Sequence, residues 1–392
     1  MDARSWGMFI ISVAVILDNM LFGMIAPIIP LYVKELGASS GELGLLMASY
    51  SVTILIFAIP TGMMSDRIGR KPIILLGLLG GGLSSILFAV SENLSLLLVS
   101  RIIQGFSTSL IFSSCFAYIA DISPPNQRGG KMGLLGGLMG VGLITGPVFG
   151  GILADMGGKS LPGAVFFLSL IPSPVYLVET RSKARRKEPL ALKSILSNFN
   201  ILSILFIITL VTIPWGSLEV VFPLHVSDKF GGGITYLGTI FGVGAALFCG
   251  FRYVSGMISD RMGRRHLILL GIFTLSLGSF MLSLAGSLWS VGLILCLVFF
   301  AYGLFFGVAI PYITDMISYT KILGEPHGTA SALYNISWSA SFFLGPWLGG
   351  SLYEHIGFDT LHLIYSAGIL ICLIWAHLFC PEPGTATTSE RA

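Results

Sequence analysis

Two acidic side chains lie deep inside long apolar runs: Asp18 within 8–33 and Glu219 within 200–226. A carboxylate removed from water avoids isolated burial by taking up a proton or by pairing with a cation. These outcomes exclude each other. A site of this kind sheds a bound amine when it is protonated and sheds its proton when an amine arrives, which is the chemistry of proton/cation exchange. Acids inside a membrane are functional by default. The residues leave one alternative open, a structural ion pair with Arg101 or Arg252. Arg101 lies near the outer end of the run 95–120, where an isolated charge costs about 2.5–3.5 kcal/mol even on insertion scales. It needs a partner, a watery cavity or an escape to the outer interface. Aromatic faces attract cations by about 0.5–2 kcal/mol each. Phe22 stands one turn from Asp18 and Trp215 one turn from Glu219, and Tyr50, Tyr334 and Trp338 are further candidates for one binding site. Each has packing or lipid contact as its other reading.

The elements that hold these residues are membrane spans. Of the 392 residues, 54% are hydrophobic and only 10% charged, against about 25% charged in an average soluble domain; the mean hydropathy is +0.88. Such a surface faces lipid. At about 20 apolar residues per span, twelve are expected: 8–33, 43–64, 73–90, 95–120, 132–153, 161–178, 200–226, 235–258, 266–285, 289–314, 328–352 and 359–380. The fold class expected is all-α, with twelve transmembrane helices in two pseudo-symmetric halves, 1–180 and 200–392, joined by a basic linker at 181–199. Seventeen Lys/Arg fall on the side of that linker and three (Lys34, Lys159, Lys229) on the other. The positive-inside rule puts both termini and the linker in the cytoplasm. The first run is too long for a signal peptide and reads as a retained helix.

The halves repeat each other. Gly62–Lys71 (GMMSDRIGRK) returns as Gly256–Arg265 (GMISDRMGRR), 194 positions later. Tyr118–Asp121 (YIAD) returns as Tyr312–Asp315 (YITD) at the same offset, and GPVFGG from Gly146 as GPWLGG from Gly345. A period near 200 is too long for a solenoid unit and marks a transporter built from two related halves. The net charge of +3 with basic residues confined to short loops excludes nucleic acid as a partner. The five cysteines lack metal-ligand spacing. No phosphate-binding loop and no Ser/His/Asp or Cys/His constellation is present. The chain therefore reads as a non-enzyme without cofactor or metal, drawing energy from a proton gradient.

The GxxxDRxGRK spacing closely resembles the hallmark loop of the major facilitator superfamily. The resemblance implies that Asp66, Arg67 and Arg70, with Asp121, form a cytoplasmic charge network that latches the outward-facing state, and that Asp260, Arg264 and Asp315 do so in the second half. RIIQG from Arg101 resembles the fourth-span RxxQG motif, which implies that Arg101 assists proton transfer. The glycine-rich stretch ending in Gly146, Pro147, Gly150 and Gly151 resembles the fifth-span motif marking antiporters, which implies a helix bend and export by exchange. In the family fold the first and seventh spans line a central cavity, which would bring Asp18 and Glu219 to it. Leu17-Asp18-Asn19-Met20-Leu21 and the later Pro27-Ile28-Ile29-Pro30 look like the first span of vesicular monoamine transporters and their bacterial relatives, adding Asn19 to the site, and Glu219 before Pro223 matches their seventh-span acid. The chain departs from the vesicular proteins in three places. Tyr50 stands where they have a lysine, apolar or small residues near Phe306 and Ser339 replace later acids, and the loop Lys34–Glu42 is short. The match is better to bacterial twelve-span drug/proton antiporters.

The leading expectation is thus a proton-coupled exporter of hydrophobic organic cations or amines working by alternating access, multi-pass in a bacterial inner membrane. Protons, a cationic small molecule and the bilayer are its partners, and nothing in the sequence requires more than a monomer. A carrier of a neutral or anionic metabolite on the same fold, and a non-transporting membrane receptor, remain as alternatives.

Overall fold

The structure, a computed structural model, describes residues 3–123, 128–158, 160–164, 198–319 and 326–382. Its delimited elements are all helical: α1 (Ala3–Ile25), α2 (Ile28–Glu35), α3 (Ser40–Ile68), α4 (Arg70–Val90), α5 (Leu94–Ile122), α6 (Arg128–Gly157), α7 (Phe199–Phe230), α8 (Ile234–Met262), α9 (Arg264–Ser283), α10 (Leu288–Tyr319) and α11 (Pro326–Phe379). Lipid offers backbone groups no partners, so helices that satisfy their own are the expected spanning elements. Among the described residues, ten helical stretches are long and apolar enough to cross a membrane. The last of them carries two expected spans, because α11 is broken at Gly357, which takes φ 72°. The sixth expected span, 161–178, falls mostly outside the described residues, as does the linker 181–199 apart from its last two positions.

The expected first span is interrupted. Ala26 and Pro27 form a turn between α1 and α2. Pro27 and Pro30 have no N–H for the carbonyls one turn earlier, and their rings crowd those carbonyls. Elsewhere the ends follow local rules. Ser39 and Glu42 close a capping box at the start of α3, and Asn93 accepts the Leu96 N–H at the start of α5. In both copies of the repeated loop a single glycine joins two helices, Gly69 at φ 114° and Gly263 at φ 88°. Side chains rarely tolerate that region, so the glycine of DRxGR is a geometric requirement of the turn.

The chain forms two compact units, one of 1–185 with 222–243 and one of 186–221 with 244–392. This division differs from the repeat boundary because the adjoining ends of α7 and α8 pack with the first unit. There Asp228 pairs with Lys34, and Asp155 accepts from Thr235. Small polar residues glue helices within each unit: Ser107 donates to the Gly77 carbonyl across α5 and α4 at 2.5 Å, and Ser279 donates to the His362 carbonyl across α9 and α11 at 3.1 Å. This is the packing style of membrane helices.

Candidate functional site

In the first unit α1, α3 and α5 bring one buried polar cluster together. Asp18 is 6% exposed and Arg101 only 1%. Asp18 Oδ1 accepts a hydrogen bond from Thr108 Oγ1 at 2.7 Å. Thr108 Oγ1 in turn accepts from the Tyr50 hydroxyl at 3.3 Å. The Arg101 guanidinium lies over the Tyr50 ring, 4.6 Å from its centroid, and donates to Gln104 Oε1 at 2.6 Å. Phe22 stacks on the same Tyr50 ring at 5.1 Å. Asp18 enters no ion pair among the described residues. Arg101 meets an aromatic face and an amide, and does not reach out to an interface. A carboxylate held by one hydroxyl is reachable by a competing proton or cation, whereas one clamped by a guanidinium is committed.

Two members of this cluster, Thr108 and Cys115, were not site candidates from the sequence, and Gln104 entered only as part of the RxxQG motif. Cys115, seven positions after Thr108 on α5, is buried, and its thiol lies within electrostatic reach of Asp18. The signal was the spacing: Arg101, Gln104, Thr108 and Cys115 recur at intervals of three, four and seven, the period of one helix face. Asn19 points differently. Its amide donates back to the Val15 carbonyl at 2.9 Å, and its Cβ lies at the α1–α6 contact against Gly142.

The glycine-rich helix sets where α1 sits. A Cβ on Gly146 would come 2.5 Å from the Met20 carbonyl oxygen, and one on Gly150 2.6 Å from that of Met24. A Cβ on Gly23 would meet the Pro147 ring at 2.8 Å. Gly142, Gly146 and Gly150 thus form a stripe on which α1 lies backbone to backbone. Gly151 faces the other way, onto the Ile234 carbonyl of α8. The motif positions the helix that bears Asp18.

In the second unit Glu219 is buried on α7. Four residues earlier, Trp215 is enclosed by the rings of Phe248, Phe299, Tyr302, Phe306 and Phe342, at centroid distances from 4.6 to 6.0 Å. Tyr334 meets Phe306 at 5.9 Å and Trp338 stacks on Phe342 at 4.0 Å. The three candidate aromatics of this half therefore belong to one cluster. α11 repeats the α6 device, since a Cβ on Gly216 would meet the Pro346 ring at 2.8 Å.

Both copies of the repeated loop carry the same ion pair. Arg70 Nε donates to Asp121 Oδ2 at 3.0 Å, and its Nη1 reaches Asp66 at 2.6 Å and Ser65 at 3.0 Å. Arg264 Nε pairs with Asp315. Arg67 is exposed, and the side chain of Asp260 lies outside the described residues. In the second copy the Glu382 carboxylate accepts the backbone N–H groups of Arg264 at 2.7 Å and Arg265 at 2.9 Å.

Comparisons with known proteins agree with this architecture. The family model described as Major Facilitator Superfamily matches residues 11–321. The Quinolone resistance protein NorA of Staphylococcus aureus is 30% identical over 382 residues, covering 93% of this chain and 95% of its own. Multidrug resistance protein 2 of Bacillus subtilis is 26% identical over 371 residues, covering 90% and 91%. Among solved structures, a bacterial homologue of the human lysosomal transporter Spinster, in an inward-facing and occupied conformation, aligns with a TM-score of 0.77 at 16% identity, over 97% of this chain and 95% of that one. The human organic anion transporter MFSD10 aligns with a TM-score of 0.67 at 18% identity, over 96% and 100%. With its helices, its repeated loop and these relatives in agreement, the chain belongs to the Major Facilitator Superfamily, a multi-pass membrane transporter and not an enzyme.

Proposed function

We propose that this protein is a proton-coupled antiporter that exports hydrophobic organic cations or amines by alternating access. The observation that carries this reading is Asp18: buried within an apolar helix, bonded to one hydroxyl and outside every ion pair of the described residues. A proton and a cationic cargo satisfy such a site in turn, never together. Phe22 and the Tyr50 ring stand beside it as aromatic faces for the cargo. Glu219 supplies a second buried carboxylate in the other unit. The Arg70–Asp66–Asp121 network and its Arg264–Asp315 counterpart act as cytoplasmic latches, one in each unit, and Arg101 assists proton transfer. The multidrug relatives support a broad cargo range, and the seventeen basic residues on one side support cytoplasmic termini in a bacterial inner membrane. The protein works as a monomer without a cofactor, driven by the proton gradient.

The test is cation-driven proton release from proteoliposomes, with ethidium or tetraphenylphosphonium as cargo. Asp18→Asn removes the exchangeable charge and keeps the shape. Its expected result is loss of the proton signal. Exchange unchanged from the parent protein would refute the assignment.

A further inference from the structure

Thr108 stands between two groups that make different demands on its single hydroxyl hydrogen. It donates to Asp18 Oδ1 at 2.7 Å and accepts from the Tyr50 hydroxyl at 3.3 Å. A threonine hydroxyl offers one hydrogen and two lone pairs. With Asp18 ionised, that hydrogen is committed to the carboxylate, and the Tyr50 phenol has to be the donor. A proton on Oδ1 reverses the order. The carboxyl group then donates to Thr108 and frees the Thr108 hydrogen, which turns to the phenol oxygen as the phenol hydrogen swings away; a Thr108 that instead accepted from both groups would leave Tyr50 without an acid response. The proton comes from the aqueous phase and stays on Asp18; the two hydroxyls only rotate. A cargo cation acts otherwise. It leaves Asp18 an anion and an acceptor, so Thr108 keeps donating and Tyr50 keeps its direction.

The Tyr50 ring transmits this change, because Phe22 stacks on it and the Arg101 guanidinium lies over it. Asp18, Tyr50, Arg101 and Thr108 are all buried, so water does not screen the difference between the two orders. The other ionisable groups near Asp18 are few. α5 brings Arg101 and the buried thiol of Cys115, and α3 brings Tyr50. α6 carries Arg128, Lys131 and Asp155 only in its end turns, and α4 carries Arg70 and Lys71 in its first turn.

We propose that Thr108 is a positioning residue that tells the Tyr50 ring, and through it Phe22 and Arg101, whether Asp18 holds a proton or a cation. This rests on the reading of Asp18 as the exchange site. It supplies what that reading lacks, a structural difference between the two occupied states within one unit, from which a preference for one side of the membrane can grow.

The experiment places 3-fluorotyrosine at position 50 in the full-length protein and follows its fluorine resonance on acidification, and separately on addition of tetraphenylphosphonium at alkaline pH. Acid is expected to displace the resonance in the parent protein. The cation, bound beside the ring, is expected to displace the resonance by direct contact, and equally with or without a hydroxyl at position 108. Thr108→Val, which keeps the shape, and Thr108→Ala, which also removes the hydroxyl, should both lose the acid response. Thr108→Ser, which keeps the hydroxyl, should retain it. Asp18→Asn should lose it as well. A full acid response in the Val or Ala variant overturns the proposal, because a packing role would be served by Val and harmed by Ser. A parent resonance indifferent to acid, in protein that still shows cation-driven proton release, overturns the proposal and leaves the exchange reading standing. Absence of proton release in the parent protein removes both.

Discussion

Tyr302 donates its hydroxyl hydrogen to the backbone oxygen of Val211, 3.1 Å away. Thr108 and Asp18 occupy the matching places, 194 and 193 positions earlier in the chain. Each unit thus has a hydrogen bond between the matching two helices, from a threonine to a carboxylate in one and from a tyrosine to a peptide carbonyl in the other. Glu219 is not the counterpart of Asp18. It follows Gly216 by three residues, whereas Asp18 precedes the equivalent Gly23 by five. Each unit therefore carries its acid on a different side of the glycine–proline crossing.

It follows that Tyr302→Phe should leave proton coupling intact. The Val211 carbonyl lies within α7, where the helix supplies it with a backbone N–H, so little is left unsatisfied. The expected cost is at the low end of about 0.5–1.5 kcal/mol for one hydrogen bond. Thermal unfolding of the purified protein should register that small loss, while proton release in proteoliposomes should match the parent. Loss of coupling in this variant would mean that the second unit also handles the proton at this place.

Gly146→Ala and Gly150→Ala should disable transport. The new methyl group would press on the Met20 or Met24 carbonyl at 2.5–2.6 Å, and overpacking of this kind costs about 1–3 kcal/mol. The helix-propensity gain of alanine, about 1 kcal/mol, offsets only part of it. Gly137→Ala is the control. It lies on the same helix, and a Cβ there would meet nothing within 4 Å, so it should be neutral or slightly stabilising. Transport rate and thermal stability, measured together on the three variants, check the contrast.

The sequence showed the spans, the duplication and both buried acids, because length, hydropathy and isolated charges survive translation into a linear code. Asp18 and Arg101 stand out as charges in apolar runs, where their presence is costly. Thr108 does not, since hydroxyl residues are common in this chain and Thr108 matters only through what lies across α1 and α3. The break at Ala26-Pro27 was hidden by the unbroken apolar character of 8–33. Trp215 read as a cation-binding candidate from its distance to Glu219 alone. Its five ring neighbours come from α8, α10 and α11 and share no sequence pattern with it.

Within the repeated loop, the two acids that hold Arg70 should not contribute equally. Arg70 is buried, whereas the Asp66 side chain is 49% exposed and that of Asp121 22%. A half-exposed pair is worth about 0–1 kcal/mol. Removing a partner from a buried charge costs about 3–5 kcal/mol. Asp66→Ala should therefore destabilise less than Asp121→Ala, and Arg70→Ala, which strands both acids and Ser65, should stand apart from Arg70→Lys only modestly, because lysine cannot serve Asp121 and Asp66 with one planar fork. Chemical or thermal unfolding of the four variants gives the ranking, and an Asp66 effect as large as that of Asp121 would contradict it.

Glu382 should matter to the second loop more than its place beyond the last span suggests. Its carboxylate accepts two backbone N–H groups at the start of α9, which have no intrahelical acceptor, and its charge faces the positive end of that helix. The neighbouring Pro381 carbonyl accepts from the Tyr312 hydroxyl at 2.8 Å, so the segment is tied to α10 as well. Helix caps of this type contribute about 0.5–2 kcal/mol. Glu382→Ala should lower thermal stability by an amount in that range, and Glu382→Gln by less, since an amide oxygen can still accept one N–H. Hydrogen exchange should localise the change to the first turn of α9, with the α3–α4 loop of the first unit unaffected. Faster exchange in both loops would show that Glu382 acts on the fold as a whole, and equal protection in all three proteins would show that the cap contributes nothing.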